Sequence, residues 1–85
     1  MEMLDLKQVV LTRKSTSPAP QYLLEITATD QVNGFPQVYR YTDLYNPDLS
    51  FMSLWLEDQV LTLEQENAKR VILTIGNEIT LKVEK

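Results

Sequence analysis

The chain has no cysteine and no histidine, and only two of its 85 residues are glycine. Each shortage removes a class of chemistry. Without cysteine there is no disulfide framework, no thiol nucleophile and no thiolate metal site, which fits a reducing compartment such as the cytoplasm. Without histidine the commonest general base and metal ligand is missing. A nucleophile would have to be Ser, Thr, Lys, Tyr or a carboxylate, each needing an activating neighbour. The two glycines, Gly34 and Gly76, stand in separate turn segments, so no glycine-rich phosphate cradle exists. No stretch approaches the ~20 apolar residues of a membrane span, and MEMLDLKQVV lacks the basic start and apolar run of a signal peptide. The expectation is a soluble, cytoplasmic protein that uses no metal, no cofactor and no small-molecule substrate, and is not an enzyme.

What is present is ordinary for a globular domain. Hydrophobic residues make up 44% and charged residues 24%, enough for one modest core in a single domain spanning residues 1–85. The net charge of −4 argues against a chain built to grip phosphate backbones. The acid is spread out, with five acidic and four basic residues up to Pro47 and seven and four beyond it. That spread does not indicate an acidic surface imitating DNA.

The first block, 3–44, reads as three strands. Residues 3–14 alternate, but the alternation slips between Leu6 and Val9 at Lys7-Gln8, where a bulge is expected. STSPAP at 15–20 is a polar connector whose prolines exclude both helix and ladder. Residues 22–32 and 35–44 form a hairpin about Asn33-Gly34, a pair that tolerates positive φ at both turn positions. Pairing outward from that turn sets Val32 opposite Phe35, Ala28 opposite Tyr39, Ile26 opposite Tyr41 and Leu24 opposite Asp43. One face then carries Leu24, Ile26, Ala28, Val32, Phe35, Tyr39 and Tyr41, and the other Glu25, Thr27, Thr29, Val38, Arg40 and Thr42. A one-residue slip would reverse the two faces. Pro36 cannot donate to a ladder, which places its strand at an edge. A second hairpin spans 70–84. A three-residue loop, Gly76-Asn77-Glu78, sets Ile75 against Ile79, Leu73 against Leu81 and Val71 against Val83 on one face.

Between the blocks, residues 48–68 read as a helix. Asp48 follows Asn46-Pro47 as a capping carboxylate. Leu49, Met52, Leu56, Val60 and Leu63 recur at steps of three and four and form a stripe fit to cover a sheet, with Trp55 at its border. The run VLTLE at 60–64 also alternates, so a helix ending near Asp58 with a strand beyond it is the competing reading. Gln, Glu, Leu and Ala favour the longer helix. The expected fold is α+β: an antiparallel sheet in the order β-β-β-α-β-β with one helix packed on one face.

Functional signals are sparse. Glu57 and Asp58 are adjacent on a helix and diverge by about 100°, so they do not converge on a metal. Tyr22, Tyr39, Tyr41 and Tyr45 with Arg40 invite a reading as a single-stranded nucleic-acid platform. The hairpin pairing, however, turns Tyr39 and Tyr41 inward and Arg40 outward. A second stripe on the helix, Phe51, Leu54 and Leu61 with Asp58 among them, is apolar where a surface helix should be polar. Flanking elements covering it, or scattered exposed leucines, are the plain explanation. The functional reading is a partner-binding or self-association face made of Phe51, Leu54, Trp55, Asp58 and Leu61. In type, a short acidic domain without catalytic residues resembles small accessory and phage-encoded proteins that act by occupying a partner's surface. The sequence points to a regulatory protein-binding module, with a structural subunit of a homo-oligomer as the second reading and nucleic-acid binding as a weaker third.

Overall fold

The computed structural model describes residues 4–15, 21–30, 34–41 and 52–85. Five strands and one helix follow in the order β1 (Leu4–Ser15), β2 (Gln21–Asp30), β3 (Pro36–Tyr41), α1 (Ser53–Gln65), β4 (Arg70–Ile75) and β5 (Ile79–Glu84). The strands form one antiparallel sheet, ordered β3-β2-β1-β4-β5, so the fold is α+β as the patterning requires. The proline-bearing connector at 16–20, Val32 and Asn33, and residues 42–51 with Asp43, Tyr45, Asp48, Leu49 and Phe51 lie outside the described residues.

β1 is the spine of the sheet. Its register against β2 shifts between Leu6 and Gln8, leaving Lys7 as the extra residue of a bulge. The bulge brings Leu6 and Val9 to the same side although they are three apart, which is why the alternation slips there. A second shift lies between Arg13 and Ser15. Val9, Leu11, Tyr22, Leu24, Ile26 and Val71 form the buried face of the sheet, and the helix brings Met52, Leu56 and Leu63 down on it. α1 packs against β1 and β4.

The C-terminal hairpin pairs as the patterning requires, from Ile75 opposite Ile79 to Arg70 opposite Glu84. The first hairpin does not. Ile26, not Ala28, lies opposite Tyr39, while Leu24 lies opposite Tyr41 and Ala28 opposite Gln37. This is a two-residue slide from the expected register. Side chains alternate with a period of two, so such a slide keeps each residue on its expected face, and hydrophobic patterning cannot detect it. Phe35, expected on the apolar face, is exposed. β3 is indeed an edge, and its first residue is Pro36.

The helix is shorter than expected at both ends. Met52, not Asp48, is the N-cap, and it offers no side-chain acceptor. At the other end Asn67 adopts φ 52°, the left-handed conformation that asparagine tolerates. Ala68 N–H donates to the Leu63 carbonyl at 3.0 Å and Asn67 N–H to that of Glu64 at 3.4 Å. This is a Schellman closure, and its apolar partners Leu63 and Ala68 are both fully buried. The cap is tied to the sheet, since the Arg13 guanidinium donates to Asn67 Oδ1 at 3.0 Å and Arg13 N–H to the Lys69 carbonyl at 2.8 Å. Residues 59–65 are helix throughout.

Candidate protein-binding surface

The helix sorts its residues onto opposite sides. At about 100° per residue, Met52, Leu56, Gln59 and Leu63 fall within a narrow arc, and all four are buried. Trp55 and Val60 flank that arc and pack against the core, half-buried. Leu54, Asp58 and Leu61 share the diametrically opposite arc. Leu54 is 78% exposed and Leu61 50% exposed. They stand seven residues, about 10 Å, apart along the axis, with the exposed Asp58 carboxylate between them. Of the five residues singled out from the sequence, three therefore share one outward stripe. Trp55 belongs to the shoulder of the core, and Phe51 lies outside the described residues.

Such a stripe can take an apolar partner surface that brings a cation or a hydrogen-bond donor to Asp58. Within the helix, Thr62 Oγ1 donates to the Asp58 carbonyl at 3.0 Å. No acid lies in the first turn and no base in the last.

No family model, curated protein or solved structure matches this chain.

The rest of the surface shows where other chemistry would have to sit. Among the described residues no three carboxylates converge on a possible metal position, and no helix is long and apolar enough to cross a membrane. The Tyr22 hydroxyl donates to Glu64 Oε1 at 2.9 Å, tying β2 to the last turn of α1. Burial, and then the Glu64 carboxylate, raise the Tyr22 phenol above its ordinary pKa. Beside it an open depression of about 430 Å³ is lined by Lys14, Gln21, Tyr22 and Leu23. Tyr39 and Tyr41 pack against the core, and the Tyr39 hydroxyl donates to Gln37 Oε1 at 2.9 Å. Arg40, on the other face, pairs with Glu25 at 3.2 Å. Tyrosines and cation thus lie on opposite sides of β3, which separates the parts a base-stacking platform would need together.

Two features escaped sequence reasoning. Gln59 is only 9% exposed, and its Oε1 has no hydrogen-bond partner among the described residues. Its spacing from Leu56 and Leu63 placed it on the buried arc, but its polarity hid it. The second is the helix-side face of β5, where Ile79 is 72% and Leu81 51% exposed. A helix about 10 Å across spans roughly two strands set ~4.8 Å apart, so one helix cannot roof five.

Proposed function

We propose that this chain is a non-catalytic, cytoplasmic protein-binding module of the regulatory or accessory kind, working through the outward stripe of α1. The observation that carries the reading is the exposure of Leu54 and Leu61 on the side of the helix opposite its core contacts. These two leucines are not needed to fasten the helix, because Met52, Leu56 and Leu63 do that. Leu54 and Leu61 supply the apolar anchors, Asp58 the polar contact between them, and Trp55 a stiff shoulder at the border. The missing cysteine and histidine fit a protein that acts by occupying a surface rather than by chemistry.

Site-specific photo-crosslinking in the native cell tests this. A photoreactive residue at position 54 or 61 is expected to give one discrete adduct with another protein, while the same residue at Thr27, on the far side of the sheet, gives none. Equal, diffuse labelling from all three positions would remove the reading. An adduct of twice the chain's own mass would turn it into self-association through this stripe.

A further inference from the structure

The two edges of the sheet are finished differently. β3 opens with Pro36, and its helix-side Tyr39 and Tyr41 pack against the core. β5 opens with no such residue, and of its helix-side residues only Val83, near its far end, packs against the core. It pairs with β4 over six consecutive residues without a bulge and contains no proline. Its first four residues are exposed on both faces, and among the described residues no strand lies beyond it. The helix sits over β1 and β4, leaving Ile79 and Leu81 open on the apolar side. A regular edge with free backbone donors and acceptors beside an uncovered apolar strip fits an added strand.

The sequence of β5 complements itself. We propose that β5 pairs antiparallel with β5 of a second copy, about a twofold axis passing at Thr80. In that register Thr80 faces its own copy, Ile79 faces the second copy's Leu81, and Glu78, the loop residue just before β5, faces the second copy's Lys82, the last two contacts occurring twice. The two most exposed aliphatics of the strand meet. Two cross-strand ion pairs form from groups that make no ion pair among the described residues. The registers slid toward the C-terminus are poorer. An axis at Leu81 sets Glu78 against Glu84, and an axis at Lys82 sets that lysine against itself, each a like-charge pair directly opposed. The axis stands normal to the sheet, so two five-stranded sheets become one continuous sheet with both helices on the same side. Leu54 and Leu61 take no part, and the inference stands apart from the role of the helix stripe.

Sedimentation equilibrium over a concentration series tests this on wild type, Lys82→Glu and Glu78→Lys/Lys82→Glu, with circular dichroism to confirm folding. Wild type is expected to pass from monomer to dimer. Lys82→Glu is expected to weaken dimerisation roughly tenfold, equivalent to ~1.4 kcal/mol, and the charge-swapped double variant to restore it. Leu54→Asp/Leu61→Asp is expected to leave the dimer unchanged. The cysteine-free chain allows a second test, because directly opposed residues of antiparallel strands lie about 4.5–5.5 Å apart at Cα, within disulfide reach. Thr80→Cys is expected to oxidise to a covalent dimer, and Thr27→Cys to form no covalent dimer. A wild type monomeric throughout, a dimer indifferent to Lys82→Glu, or a Thr80→Cys variant that does not cross-link would each overturn the proposal.

Discussion

Gln59→Met is expected to stabilise the domain. Gln59 sits between Leu56 and Leu63 on the buried arc of α1, and its Oε1 has no partner among the described residues. An unsatisfied buried polar atom costs about 1–3 kcal/mol. Methionine has nearly the same length and volume, a similar helix propensity, and no strong acceptor to strand. The rotamer freedom lost on burial is similar for the two side chains, so a net stabilisation of about 1 kcal/mol, the lower end of that range, is expected. In a domain of this size that raises Tm by about 4–8 °C. Urea unfolding is the suitable assay: the midpoint should rise while the slope, which reports the surface exposed on unfolding, stays constant. Gln59→Ala serves as the contrast, since it removes the same oxygen but leaves a void. A Gln59→Met variant less stable than wild type by 1 kcal/mol or more would refute the reasoning, because the amide would then be making a contact that the helix needs.

Other perturbations have definite expected outcomes. Tyr22→Phe removes the hydroxyl that donates to Glu64, at a cost of about 1 kcal/mol near neutral pH. The folded-state pKa of Tyr22 is raised, so its contribution is whole below the unfolded tyrosine pKa of about 10 and is lost as pH climbs through the higher folded value. An unfolding series from pH 8 to 11 should therefore show a steeper alkaline loss in wild type than in Tyr22→Phe. Asn67→Gly gives up the exposed hydrogen bond from Arg13 but relieves the positive φ, and should leave stability nearly unchanged, whereas Asn67→Val loses that bond and, being β-branched, resists positive φ, and should cost about 1–2 kcal/mol by chemical denaturation. Leu54→Asp/Leu61→Asp should stay within about 0.5 kcal/mol of wild type per site, as exposed positions do.

The order of elements was legible because each has its own period. Strand alternation recurs in both hairpins, and helical spacing in Met52, Leu56 and Leu63. The β1 bulge could be read because it leaves a visible fault in the alternation at Lys7. The β2–β3 register was not legible, since a two-residue slide conserves both faces. Asp48, read as the capping acceptor, lies outside the described residues, and α1 is described from Ser53 with Met52 as its N-cap. Its end was legible in principle: Asn67 is a residue that can close a helix in the left-handed conformation, but Ala68 and Lys69 read as further helix. At the candidate site the pattern foretold that Leu54, Asp58 and Leu61 share a stripe. It did not foretell how far β5 extends beyond the helix, because coverage depends on which strands lie beneath α1, and strand order is a property of the whole sheet.

The central claim is that the outward stripe of α1 serves a partner and not the fold. Its most direct test is the yield of a photo-crosslink from position 61, measured with and without Leu54→Asp, beside the unfolding midpoint of each protein. The expected result is a discrete adduct that disappears with Leu54→Asp while the midpoint holds. An adduct that persists undiminished, or a midpoint that collapses with the substitution, would contradict it.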